Sequence, residues 1–321
     1  MSLNPIAQEI INAFPVDEVS ELTPDDFRLT VDEGAAAVER EDVDEIEDRN
    51  LVGADGQDLP IRLYRPKGVQ NPAPITVFFH GGGWVVGGLL SHDAECRALS
   101  NQTRTVLIAV DYRLAPEHPF PAAPEDCYTA LCQIVELADE LGIDPNRLAV
   151  MGDSAGGNLA TVVCLMSRDS SGPKICHQLL IYPACDIDPD RWPSIKENST
   201  GYLLTEEMMR WFYRHYVGAE TFLDEAYASP IRANDLSGLP SASLGSLLSS
   251  PLESSQSSCI PSPSLSPSFT RKVNVPAPYR LTGPLSGVSG NNPFSANDPY
   301  RDEPTKVISF TSTVVKPLGS P

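Results

Sequence analysis

Four short apolar runs constrain the fold more than any other feature of the sequence: Ile75–Phe79, Val106–Val110, Leu148–Met151 and Leu179–Tyr182. Each is bounded by Gly, Pro or Asp and is too short for a helix of ordinary length. Continuous apolar runs of this kind are what strands buried on both faces look like. Helix-like segments lie between them, at Ser91–Gln102, Ala122–Leu141 and Ala155–Met166. Strands alternating with helices require crossover connections, so the expected class is α/β with a mainly parallel central sheet. Arg62–Tyr64 alternates like a further strand. A short amphipathic helix is expected over residues 5–14, and further helices over Pro24–Val38 and 205–217, where Thr205 can cap and Glu206–Glu207 favour the N-terminal dipole.

Chemistry concentrates after the third run. Gly152-Asp153-Ser154-Ala155-Gly156 stands between Leu148–Met151 and the helix opened by Gly156-Gly157-Asn158. A serine on a sharp strand-to-helix turn is pushed out of the sheet, and small neighbours are needed because the backbone passes close to itself. The N–H of Ala155 and the helix N-terminus then face the place where negative charge develops. A plain glycine-rich connection is the bland alternative. Against it stands His80-Gly81-Gly82-Gly83-Trp84, which follows Ile75–Phe79 directly. Three glycines let backbone N–H groups converge on one point. The loop lacks the Lys-Ser/Thr of a phosphate loop and does not fit a dinucleotide fingerprint.

Together with these two motifs, Asp111-Tyr112-Arg113-Leu114-Ala115-Pro116-Glu117-His118-Pro119, Ser91-His92-Asp93, Tyr202-Leu203-Leu204-Thr205 and Ala228-Ser229-Pro230 resemble the hormone-sensitive-lipase-like carboxylesterases of the α/β-hydrolase fold. The resemblance covers about residues 1–240. It implies an ester-hydrolysing lineage without metal or cofactor, acting on small-molecule esters. It implies Ser154 as the nucleophile that forms an acyl-enzyme. Gly82, Gly83 and Ala155 would be the oxyanion donors, and His80 and Gly81 part of the loop that carries them. It also implies a helical cap from the N-terminal segment 1–45 and residues 186–217, with Trp211 and Phe212 lining the acyl pocket. His92 and His118 match positions outside the catalytic triad.

A serine hydroxyl needs a general base, usually a histidine oriented by a carboxylate. In the family the Asp follows the strand after Leu236–Pro240, and the His comes after the next one. No histidine follows His215 in this chain. Asp298-Pro299-Tyr300-Arg301-Asp302 resembles the family's Asp turn, but it lies far downstream of Pro240, so Asp298 is read as coincidence. Three readings stay open. One is an esterase whose base is His177, His215 or a partner's group. Another is a non-catalytic ligand-binding member of the fold. The last is a chain whose residues from about 241 are not the ancestral continuation, as a shifted frame would leave.

Composition sharpens the division. The formal charge is −20, and the first 50 residues alone hold 15 acids against 3 bases. Such a balance argues against nucleic acid and anionic membrane as partners. Residues 241–321 contain 19 Ser and 12 Pro, a composition that cannot offset chain entropy and is expected to be disordered. Only Val307–Val315 reads as strand-like there. The expected organisation is therefore a hydrolase body over 1–240 and a Ser/Pro-rich tail over 241–321. The tail leaves Leu179–Tyr182 as an apolar sheet edge that favours aggregation. Seven cysteines without a C-x-x-C pair suggest reduced thiols. With no secretory signal and no long apolar run, a cytoplasmic protein is expected; the sequence does not indicate an oligomeric state.

Overall fold

The computed structural model describes residues 22–218 and 222–245. Seven strands form one sheet: β1 (Glu45–Val52), β2 (Asp58–Arg65), β3 (Ala73–Phe79), β4 (Val106–Val110), β5 (Ile143–Asp153), β6 (His177–Ile181) and β7 (Ser241–Gly245). Their order is β1-β2-β4-β3-β5-β6-β7. The first two pairings are antiparallel and the other four parallel. All four apolar runs lie in strands, apart from Tyr182, which follows β6. Every residue of β4 is buried, and β3 exposes only the flank of Pro74. Helices on both faces account for this, as in other sheets of this kind.

The helices are α1 (Pro24–Ala36), α2 (Asp93–Thr103), α3 (Ala122–Glu136), α4 (Ala138–Leu141), α5 (Ala155–Asp169), α6 (Pro193–Glu197) and α7 (Glu206–Val217). Thr23 caps α1 by accepting the Asp26 N–H, and Thr205 caps α7 by accepting the Met208 N–H. The single helix expected over Ala122–Leu141 is two, separated at Leu137. Gly142, at φ 61°, ends the second in the left-handed conformation that glycine tolerates.

Two strands were hidden by their composition. β1 is Glu-Ile-Glu-Asp-Arg-Asn-Leu-Val, half charged, at the edge of the sheet among the described residues. It is held by charge pairs directly across the ladder, Glu45 opposite Arg65 and Asp48 opposite Arg62. β7 corrects the expected boundary at Pro240: it pairs in parallel with β6, Ser241 opposite His177 and Gly245 opposite Ile181. Leu179–Tyr182 is therefore not an open edge. Ser-Ala-Ser-Leu-Gly carries one large apolar side chain, so no apolar run announces a strand. Its serines find polar partners instead, with His177 Nδ1 bonded to Ser241 Oγ at 2.9 Å and His177 Nε2 to Ser243 Oγ at 3.0 Å. The helix expected over residues 5–14, the strand-like Val307–Val315, Asp298 and the tail beyond Gly245 lie outside the described residues.

Candidate active site

β5 and β3 lie side by side, Gly152 opposite Phe79, so their C-terminal ends bring both glycine motifs to one edge of the sheet. That is where open α/β sheets bind ligands. Between β5 and α5, Ser154 adopts φ 51° and ψ −115°, outside the regions favoured by L residues. The surrounding backbone enforces it. Ser154 N–H donates to Ile181 O at 2.8 Å, and the N–H groups of Asn158 and Ala184 donate to Ser154 O at 3.1 and 3.0 Å. Gly156 has no room for a side chain, because a Cβ there would collide with the carbonyls of Phe79 and His80. The half-buried Ser154 hydroxyl forms no hydrogen bond with the other described residues.

The loop after β3 is fastened to this turn. Gly81 N–H donates to Asp153 Oδ1 at 2.7 Å. His80 is buried and stacks on Tyr112, with ring centres 4.2 Å apart and planes 10° from parallel. Its Nδ1 bonds Gly81 O at 2.7 Å, while Tyr112 OH donates to His80 O at 2.8 Å. Burial, aided by the nearby His92, pushes the His80 imidazole down to about 3, so the ring is neutral and serves as a brace. Gly82 takes φ 110°, and a Cβ there would strike Val86 O. The N–H groups of Gly82, Gly83 and Ala155 have no acceptor among the described residues.

α1 and α7 close over this loop. Phe212 of α7 lies against Gly83, leaving no space for a Cβ there. Phe27 of α1 stacks on Phe212 at 5.8 Å and meets Trp211 edge-on at 6.0 Å. These rings pack with Val85, Val86, Ala115 and Met208 into one apolar cluster. Arg28 ties α1 down. It donates to Val85 O at 2.9 Å and Ala115 O at 3.0 Å, and grips Glu117 with two nitrogens at 2.9 and 2.7 Å. On the other side of the turn, Asn158 Nδ2 donates to Ala184 O and Ala228 O, both at 2.8 Å.

All five histidines of the chain lie among the described residues, and none bonds Ser154. His177 is corrected as a candidate base. It begins β6, while the residue level with the nucleophile's turn is Ile181. Four residues of strand at about 3.3 Å each separate the two positions. His215 is held by its own helix, Nδ1 bonding Trp211 O at 2.8 Å. His92 lies 3.7 Å from Asp153 Oδ1, on the inner side of the glycine loop. After β7, the first carboxylate in the sequence is Glu253.

Ser154, Ala155 and the glycine loop lie together at one edge of the sheet, and Phe212, expected to line the acyl pocket with Trp211, lies against Gly83. The sequence reading assigned no role to Asp153, Tyr112, Asn158 or Arg28. The first three lie inside recognised motifs, where each could have been asked what it bonds. Arg28 had no signal beyond being the lone base in α1.

Residues 76–257 match a family described by the alpha/beta hydrolase fold. The chain belongs to that family, within its hormone-sensitive-lipase-like carboxylesterase branch. It is 43% identical over 211 residues to carboxylesterase NlhH of Mycobacterium tuberculosis, which spans 64% of this chain and 66%, just under two thirds, of that one. An ethyl acetate hydrolase of Pseudomonas putida is 39% identical over 67% of this chain and 71% of its own length. The solved esterase of the archaeon Pyrobaculum calidifontis superposes with a TM-score of 0.72 at 37% identity, covering 76% of this chain and 79% of its own. No described helix is long and apolar enough to cross a membrane.

Proposed function

We propose that the chain is a serine carboxylester hydrolase for short or medium acyl esters, acting through an acyl-enzyme on Ser154. One observation carries the reading: the strained Ser154 turn is fastened to the glycine loop by Gly81 and Asp153, and the N–H groups of Gly82, Gly83 and Ala155 lack acceptors among the described residues. Ser154 Oγ attacks the ester carbonyl carbon. The carbonyl electron pair moves onto oxygen, where the three N–H groups receive it. Collapse of the tetrahedral intermediate expels the alcohol, and water then attacks the acyl-enzyme to release the acid. The Pseudomonas relative's name supports a small acyl group, and the aromatic rings against Gly83 support a confined pocket.

The serine proton needs a base, and none of the chain's histidines meets Ser154. Losing the base costs on the order of 10⁶ in kcat in a serine hydrolase, about 8 kcal/mol of barrier. An oxyanion hole and binding alone leave about 10³–10⁴ over water. A slow enzyme, or one completed by a partner's base, is the expected form. The test is turnover of p-nitrophenyl acetate and butyrate with fluorophosphonate labelling, in the wild-type chain and Ser154→Ala. Equal turnover and labelling in both would refute the proposal.

The placement of the histidines also favours a second reading, a ligand-binding protein that keeps the pocket without the chemistry. It predicts saturable binding of small acids or esters with no hydrolysis. The abrupt composition change keeps the frame-shift reading open, now with the boundary after Gly245. Translating the other two frames of the gene downstream should reveal an Asp turn and a late His. A cytoplasmic location, the absence of nucleic-acid partners and a body-and-tail organisation remain parts of the same proposal.

A further inference from the structure

Three side chains converge on the inner side of the glycine loop. His92 immediately precedes α2, Glu95 lies in its first turn, and Asp153 ends β5. One ligand atom from each lies within 4.8 Å of the other two. Ser91 Oγ bonds His92 Nδ1 at 2.8 Å, which leaves Nε2 facing Asp153 Oδ1 at 3.7 Å. That gap is too long for a hydrogen bond. It is close to the ~3.4 Å that separates two ligands sitting about 2.0–2.1 Å from a tetrahedral zinc ion.

The two carboxylates share the His92 ring, and the Glu95 carboxylate accepts no hydrogen bond from the described residues. The arginines that reach α2, namely Arg40, Arg62 and Arg97, converge on Asp93 instead. Two carboxylates drawn together away from water need a cation or a proton between them. Two of the ligands also have the supporting partners that metal-binding side chains require: Ser91 orients the His92 ring, and Gly81 N–H holds Asp153. Glu95 is only half-buried, which leaves an entry path.

We propose that His92, Glu95 and Asp153 bind one divalent transition-metal cation, for which an imidazole and two carboxylates suit zinc, with the remaining position open to water. This departs from the metal-free expectation of the family resemblance and does not depend on Ser154 being active. A bound cation links α2 to the strand end that carries the nucleophile, and through Asp153 to Gly81. It is a clasp beneath the glycine loop.

The test uses the full chain, freed of metal with a chelator and titrated with Co²⁺ and with Zn²⁺. The expected result is one equivalent of Co²⁺ bound with visible d–d absorption, no thiolate charge-transfer band, displacement by Zn²⁺, and a higher melting temperature with Zn²⁺. Glu95→Gln should fold, since it keeps the shape on a half-buried helix face, and should bind at least ~10-fold more weakly, the lower end of what losing even a ligand's supporting partner costs. Cys176→Ser, which removes an exposed thiol, should bind like the wild type. Three results would overturn the proposal: no saturable binding, unchanged affinity in Glu95→Gln, or a thiolate band that disappears with Cys176→Ser.

Discussion

Asp153 holds Gly81: the carboxylate one residue before the nucleophile accepts the backbone N–H that opens the glycine loop, at 2.7 Å. The bond ties two motifs 72 residues apart in the sequence. Hydrogen bonds to charged groups contribute about 1.5–3 kcal/mol. Asp153→Ala should therefore lower unfolding stability in urea by about that amount. Asp153→Asn, which keeps an acceptor oxygen, should lose less.

Ser154→Ala should abolish fluorophosphonate labelling and acyl-enzyme formation, leaving at most the residual turnover of the oxyanion hole and binding, with no loss of thermal stability. Its side chain makes no hydrogen bond to the described residues, and relief from a hydroxyl at a strained turn costs nothing in packing. Intact-mass spectrometry after probe treatment reads the outcome directly.

His177→Ala separates structure from chemistry. His177 bridges Ser241 and Ser243 of β7 and lies remote from Ser154. Labelling of Ser154 should be unchanged, while amides of β7 should exchange with deuterium faster. A loss of labelling would return His177 to the list of bases.

Phe212→Ala opens the space in front of Gly83. Truncating a buried Phe costs roughly 3–5 kcal/mol, and Phe212 is largely buried against Phe27 and Trp211. A lower melting temperature is expected, together with a rise in kcat/KM for longer acyl chains relative to acetate. A profile across p-nitrophenyl esters of increasing length measures it.

Arg28 makes the stability of the cap depend on acid. Its hydrogen bonds hold the Glu117 carboxyl down to about 2, from an ordinary value of 4.5. A carboxyl depressed in the folded state contributes stability above its unfolded value and loses it as pH falls through the folded one. The contribution should be constant above about pH 4.5 and gone by about pH 2. Half of the Glu117 side chain faces water, so its size is that of an exposed pair, about 0–1 kcal/mol. Glu117→Gln should melt lower than wild type at pH 6, with the difference vanishing toward pH 2.

The sequence made legible what repeats a strong physical signature. β3 and β4 were visible because strands buried on both faces are apolar throughout, and β5 and β6 through the apolar runs in their C-terminal halves. The Ser154 turn and the glycine loop were visible because close backbone approach admits only glycine at positions such as Gly156. β1 and β7 were not, since each is matched to its partners across the ladder, by charges in one case and small hydroxyls in the other. The bonds of Asn158 and Arg28 were equally hidden. Each reaches backbone carbonyls far away in the sequence, and a carbonyl has no identity that a sequence can display.

Asn158 gathers the carbonyls of Ala184 and Ala228 onto one amide, and those two residues bracket the segment that contains α6 and α7. The helix that aims the nucleophile thus closes the ring through which this segment leaves the body and returns. For a flexible insertion, bringing the ends together is an entropic cost that grows only slowly with length, and Asn158 meets it at one point. The segment is anchored elsewhere too, since Ile187 and Tyr216 are buried in the main core and Phe212 lies against Gly83. A designed chimera is therefore free to vary the exposed stretch at Tyr202, Leu203 and Leu204, while Phe212 and Tyr216 must stay if the geometry at Ser154 is to be left as it was.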